Sequence, residues 1–314
     1  MTTYTKRLQK VTAVLCTTAL LAGCAAGTSD NTEPAATAAQ VKAITIEPTA
    51  AYQTMNGFGA SACWWSQEVG NWENAKDILS LLYDENSGIG LNIYRYNLGA
   101  GSKDDATITD PDRRAEAFID KDGSYHWERD AAAQNALALA KSMNKDLRVT
   151  LFSNSAPVFY TTNGKAYCDY LPDDEKYVTN LEPERYADFA KYSIACAKHF
   201  TEAGYRVTGL SPINEPEWSW RGYEDGTAKQ EGCYYSKTQC RDLYKVFLKQ
   251  MAQEDALKDC QLEGWESGHI GTDTCMAYLK TMFGKSGVNW LKNNALRKGM
   301  PTLALHSYLS LIHI

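Results

Sequence analysis

Residues 205–217 read YRVTGLSPINEPE, an apolar strand-like run that ends abruptly in Asn214, Glu215 and Pro216. Four more runs have the same build: LNIYRYNL (91–98), DLRVTLFS (146–153), CQLEGWES (260–267) and TLALHSY (302–308). Each is short, rich in β-branched or aromatic residues, and closes on polar side chains. Helical patterns lie between them. Ala136, Leu139, Ala140 and Met143 recur at helical spacing, as do Tyr186, Phe189, Ala190 and Ser193, and Tyr244, Phe247, Leu248 and Met251. Strand alternating with helix predicts a parallel α/β sheet. The polar residues at the run ends choose between its two common forms. Arg95, Ser153 with Asn154, Asn214 with Glu215, Glu266, and His306 with Tyr308 stand at the C-terminal ends of different strands. A closed (β/α)8 barrel gathers all those ends at one mouth, whereas a doubly wound sheet uses one crevice. The expected fold is therefore the TIM barrel.

The rest of the composition is consistent with an enzyme-sized globular domain. The chain has 314 residues, 44% hydrophobic and 22% charged, with a formal charge of −6. That balance gives no electrostatic footprint for nucleic acid. The 19 Tyr and 8 Trp mostly serve core packing, but they also supply flat faces on which sugar rings stack. GFGASA (57–62) loosely matches a dinucleotide fingerprint, but CWWSQEVG follows it where an apolar helix should begin. No cofactor and no metal site are expected.

The N-terminus reads as an address. Lys6, Arg7 and Lys10 precede the apolar stretch VTAVLCTTALLA, which is too short to span a bilayer, and LAGC (21–24) follows. This resembles a bacterial lipoprotein signal, which implies residues 1–23 as signal peptide, a lipid-modified Cys24 and a flexible tether over 24–40. The expected location is outside the cytoplasm, lipid-anchored to the cell envelope, with the membrane met through the lipid alone. Among the nine cysteines, Cys233 and Cys240 form a local pair that an oxidising compartment permits to bridge, and the rest read as buried thiols.

Glu215 is the residue with chemistry in it. At the end of an apolar strand it loses water, and desolvation raises a carboxyl pKa, which suits an acid that protonates a glycosidic oxygen. Pro216 stiffens the turn behind it. Taken in order, MNGFGASACWW (55–65), GIGLNIYRYNLGAGS (88–102), SNSAPVFYTTNG (153–164), LSPINEPEW (210–218), QEGC (230–233) and LHSY (305–308) resemble glycoside hydrolase family 30. The likeness is strongest to the branch with endo-β-1,6-galactanases, and it runs from about residue 42 to 308.

The resemblance implies a retaining glycosidase that acts on β-linked polysaccharide. It makes Glu215 the acid/base and Asn214 the contact to the sugar 2-hydroxyl. Arg95 and Tyr308 fall near the nucleophile, and His306 on a subsite wall. Asn154, Trp64 and Trp65 fall on the subsite floor, core packing being the rival for one of the two tryptophans. Trp265 and Glu266 lie near the site without an assigned role. Residues 41–53 would be a strand segment of an accessory β-domain, and 54–308 a partial barrel of strands one to six.

Retaining glycosidases need a second carboxylate about 5 Å from the first. The family carries it on the seventh strand, and no acidic residue follows Tyr308 here. The final LSLIHI (309–314) is what transposon-end adapter DNA encodes, so this tail is expected to be non-native. The chain as written is expected to be an inactive fragment with unpaired sheet edges. Other activities of the family (β-1,6-glucanase, xylanase, glucosylceramidase-like) remain alternatives, as does a surface lipoprotein that binds glycans without cleaving them.

Overall fold

The computed structural model describes residues 54–172, 177–270, 272–283, 299 and 302–307. The expectations for the signal peptide, Cys24, the tether, the 41–53 segment, Tyr308 and the 309–314 tail fall outside these residues. The chain divides into two units between Thr54 and Met55, and all elements named below belong to the second.

Among the described residues, six strands and six α-helices follow one another, with two helices between the first two strands. In chain order they are β1 (Gly59–Ser61), α1 (Ser66–Val69), α2 (Ala75–Tyr83), β2 (Ile93–Asn97), α3 (Ala131–Met143), β3 (Arg148–Phe152), α4 (Tyr186–Glu202), β4 (Arg206–Ser211), α5 (Lys237–Met251), β5 (Gln261–Ser267), α6 (Asp273–Phe283) and β6 (Thr302–Leu305). Every pairing is parallel, and the spatial order β1-β2-β3-β4-β5-β6 equals the sequence order. A doubly wound sheet must reverse its order at a switch point; this one never does, so it is the wall of a barrel.

The strands' alternation divides the side chains between two layers. On β2, Tyr94 and Tyr96 are fully buried under the helices, while Arg95 between them points the other way. Val149 and Leu151 of β3 join the tyrosines, as do Leu79 and Tyr83 of α2, Leu137 of α3, and Phe189 and Phe200 of α4. The aromatic rings touch one another, with Tyr96 5.0 Å from Phe200 and Tyr83 5.6 Å from Tyr94. Burying rings of this size supplies about 1.5–3 kcal/mol each, which makes the sheet–helix layer the main source of stability. Helix α5 opens with a capping box: Gln239 N–H donates to the Ser236 hydroxyl at 3.3 Å, and Ser236 N–H donates to Gln239 Oε1 at 2.8 Å.

Two irregularities re-aim side chains toward the barrel interior. Register slips between Val149 and Thr150 in the β3–β4 ladder, so that Thr150 faces Gly209. A Cβ at Gly209 would sit 2.0 Å from Glu263 Oε1, so this glycine makes room for an interior carboxyl. The second slip lies between Gly264 and Ser267 in the β5–β6 ladder. Through it Glu263 and Glu266, three residues apart, both reach the interior cavity, while Trp265 stays in the helix-side core.

The local cysteine pair does not form. All seven described cysteines are free thiols. Cys233 donates to Asn180 Oδ1 at 2.9 Å, while Cys240 sits on α5 against the Tyr235 carbonyl at 3.8 Å. The helix start holds the two sulfurs on different partners. Among the described residues no helix is long and apolar enough to cross a membrane, and no His, Cys, Asp and Glu cluster has the arrangement of a metal site.

Candidate active site

The C-terminal ends of the strands surround an open cavity of about 1230 Å³. Its lining includes Ser61 at the end of β1, Trp64 after it, Arg95 on β2, Phe152 and Asn154 at β3, Asn214 and Glu215 after β4, Glu266 on β5 and His306 after β6. Five of the eight residues singled out from the sequence as site members in the barrel thus share one space with Trp64. Trp65 does not. Its indole N–H donates to the Ser61 carbonyl at 2.7 Å, and its ring packs against Tyr94 of the core.

Beyond the formal end of β4 the chain keeps pairing with β5. Glu215 N–H donates to the Glu266 carbonyl at 2.7 Å, and Glu266 N–H donates to the Ile213 carbonyl at 3.2 Å. These bonds bring Asn214-Glu215 level with Glu266 before any side chain is considered. Glu215 then takes a left-handed backbone conformation, φ +47°. For a residue with a Cβ that costs on the order of 1–3 kcal/mol, and such strain collects where the surroundings dictate the geometry. Here the Trp220 indole N–H donates to the Glu215 carbonyl at 2.7 Å, and Trp218 N–H also reaches it at 3.2 Å.

Arg95 organises the cluster. Its guanidinium forms a forked ion pair with Glu266, with Nε 3.3 Å from Oε1 and Nη2 on Oε2. The same group donates to Ser61 Oγ at 2.8 Å and to Asn214 Oδ1 at 3.2 Å, and it lies 3.1 Å over the Phe152 ring. Asn214 passes the chain on to Asn154 Oδ1 at 3.1 Å, and Asn154 to Asn97 Oδ1 at 3.1 Å. His306 closes it from the far side, Nδ1 at 2.6 Å from Glu215 Oε1 and Nε2 at 2.9 Å from Glu266 Oε2.

Charge states follow from these contacts. Burial pushes the Glu266 carboxyl up, but the Arg95 charge and the His306 hydrogen bond outweigh it, and the net shift is downward. Glu266 is therefore a carboxylate despite 2% exposure. Burial likewise opposes a charge on His306, yet its bonds to Glu215 and Glu266 lift the imidazole to about 9. At neutral pH it is an imidazolium that donates through both nitrogens. Glu263 lies deeper in the same cavity with a neutral partner, the Thr150 hydroxyl at 3.2 Å, and burial raises it to about 7.

Glu266 is the participant whose importance the sequence did not reveal. A glutamate at the end of an apolar run is the same signal as Glu215, but the bulge that turns it inward leaves no mark in the residue pattern. The loop after Glu215 was also missed. Glu217 turns back to accept Gly268 N–H at 2.7 Å together with the Ser267 hydroxyl, which ties the loop to β5.

The comparisons with known proteins agree with this architecture. A protein 30% identical over 218 residues is the endo-β-1,6-galactanase of Hypocrea rufa; the match takes in 61% of this chain and 43% of that protein. An exo-β-1,6-galactobiohydrolase of Bifidobacterium longum is 27% identical over 59% of this chain and 16% of its own length. The chain thus spans less than half the length of the curated relatives it matches. A conserved exported protein from Bacteroides fragilis superposes with a TM-score of 0.71 at 26% identity, covering 84% of this chain and 55% of that one. The profile of O-Glycosyl hydrolase family 30 matches residues 41–309. A parallel barrel wall, a buried glutamate after β4 and a match over most of the chain have one common explanation: the chain belongs to glycoside hydrolase family 30.

Proposed function

We propose that the protein carrying this chain is an endo-acting β-1,6-galactanase that retains anomeric configuration, with Glu215 as its acid/base. The observation that carries the reading is the position of Glu215. It is 7% exposed, held in a strained turn at the mouth of the barrel, and backed by Asn214, Arg95 and His306. A proton donor needs such a fixed carboxyl within reach of a bond laid across the cavity. The likeness to the Hypocrea rufa galactanase supports the polymer.

Asn214 and His306 then contact sugar hydroxyls, and Trp64 and Asn154 form the subsite floor. Glu266 is not the attacking group. Both its oxygens are engaged by Arg95 and His306, which hold it as a fixed charge in the cluster. The nucleophile in this reading is a glutamate on a further strand. Lipid attachment at Cys24 and export belong to the same proposal, supported by LAGC at 21–24.

The test uses the full-length protein and its Glu215→Gln variant on β-1,6-galactan, β-1,6-glucan and xylan, with products separated by size and the anomer followed by NMR. The expected result is oligomeric galactan products of retained β configuration, with turnover lower by about 10²–10⁴-fold in the variant. Cleavage of glucan or xylan alone would replace the substrate. Equal turnover by both proteins would remove Glu215 from its role.

A further inference from the structure

Cys168 lies in the connection from β3 to α4 and Cys233 in the connection from β4 to α5, and both residues are buried. The two segments run side by side. Gly232 N–H donates to the Ala166 carbonyl at 2.8 Å, and Tyr234 N–H donates to Cys168 Sγ at 3.4 Å. The amide on the Cys168 sulfur thus belongs to the peptide bond that follows Cys233. Asn180 spans the gap from the other side. Its Nδ2 donates to the Tyr167 carbonyl at 2.9 Å, and its Oδ1 accepts the Cys233 thiol at 2.9 Å. The sulfurs also meet: hydrogen-bond contact with Cys233, together with burial, pushes the Cys168 thiol up.

The other described cysteines are placed differently. Cys63 accepts the Asn154 amide at 3.6 Å, and Cys196 is paired with the Tyr192 hydroxyl. Cys240 and Cys260 face the Tyr235 and Gln261 carbonyls at 3.8 and 4.0 Å, and Cys275 faces the Ser267 hydroxyl at 3.0 Å. A thiol is a weak donor and a weak acceptor, so one thiol gains little from another. Two buried sulfurs in contact between separate loops are better explained by a bond.

We infer that Cys168 and Cys233 form a disulfide when the chain folds in an oxidising compartment, and that this bond staples the two loops together. The inference does not depend on the role of Glu215. The oxidant is a small or protein disulfide. One cysteine attacks a sulfur of it and displaces a thiol; the second attacks the mixed disulfide and displaces the other. One S–S bond forms in the protein and one breaks in the oxidant, and the two thiol protons leave on the two released thiols. Neither residue is open to solvent in the folded chain, so the exchange takes place during folding. The oxidised form gives up only the weak S–H bond to Asn180. In return it fixes Cys168, whose N–H donates to the Trp220 carbonyl and whose carbonyl accepts Gly222 N–H, both at 2.8 Å. Trp220 in turn holds the Glu215 carbonyl through its indole. The bond therefore anchors the base of the loop that follows Glu215.

The test is a peptide map of the full-length protein, produced in a bacterial periplasm, alkylated in urea without reductant and cut with trypsin. Trypsin releases AYCDYLPDDEK (166–176) and QEGCYYSK (230–237), each with a single cysteine. The expected product is the two peptides joined, lighter than their sum by two hydrogens and separated by dithiothreitol. Recovery of both as alkylated thiols, or of either joined to a different cysteine, overturns the pairing. The second measurement is thermal unfolding with and without dithiothreitol. The reductant is expected to lower the wild-type Tm by about 5 °C or more beyond any shift in a Cys168→Ala/Cys233→Ala variant. A wild-type shift no larger than that of the variant overturns the staple, and if the variant does not fold, the wild-type map alone decides.

Discussion

Glu266 at the barrel mouth and Glu231 beneath the loop after β2 are both withdrawn from water, at 2% and 0% exposure, yet they differ in charge. Glu266 faces Arg95 and the His306 imidazolium and is held below the usual carboxylate range. Glu231 meets only neutral donors, the Ser102 hydroxyl at 2.6 Å and Ala100 N–H at 3.1 Å, and burial pushes it up to about 7. Depth alone therefore does not decide ionisation; a cation within reach does. The difference divides their tasks. Glu266 is a fixed charge that orders the cluster at the barrel mouth, while Glu231 is a staple between two loops.

Removing the cation is the strongest way to break the contrast. Arg95→Met leaves the buried Glu266 charge with the shared His306 imidazolium as its one remaining cation, which is expected to cost about 3–5 kcal/mol in urea unfolding at pH 7. Adding Glu266→Gln to that variant is expected to recover a large part of the loss. A cost below about 1 kcal/mol for Arg95→Met would mean that the pair is not what holds the mouth together.

The second test uses pH. A carboxyl whose folded pKa is raised contributes stability that is complete below its unfolded value and lost as pH rises through the folded one. For Glu231 that window runs from about 4.5 to about 7, and Asp130 and Glu263, also raised to about 7, act in the same direction. The wild type is expected to lose stability between pH 5 and 8, and Glu231→Gln to reduce that loss by roughly 1–3 kcal/mol. An identical slope in the variant would assign the whole effect to the other two groups.

The smallest effect belongs to His306. Its folded value of about 9 lies above the ordinary 6.5, so its contribution is complete below pH 6.5 and disappears as pH passes 9. His306→Gln is expected to flatten the stability curve between pH 7 and 10 by roughly 1 kcal/mol. A wild-type curve already flat in that range would show that the imidazole does not bridge the two glutamates as a cation.

Much of the barrel was readable because burial demands periodicity. The runs at 91–98, 146–153, 205–213, 260–267 and 302–308 contain β2 to β6, and the helical templates lie in α3, α4 and α5. β1 was not legible as a strand: three residues, Gly-Ala-Ser, carry no alternation, and only the resemblance pointed to that segment. The residues around Glu215 were found because a carboxylate after an apolar run is itself unusual. Trp64 and Trp65 could not be told apart, since adjacent side chains take opposite directions that depend on the backbone between them.

The sequence by itself determined the alternation of strand and helix, the ring of polar strand ends and the identity of the glutamate at β4. Those features are local in the chain, and each follows from what one segment must bury. Tertiary structure alone decided that Glu266 turns inward, that Arg95 pairs with it, and that His306 bridges two carboxylates. These depend on ladder slips and on partners far apart in the chain, such as Arg95 and Glu266, which lie 171 positions from one another. No local pattern encodes them, because register is set by the sheet as a whole and a one-residue shift exchanges the side that each residue faces.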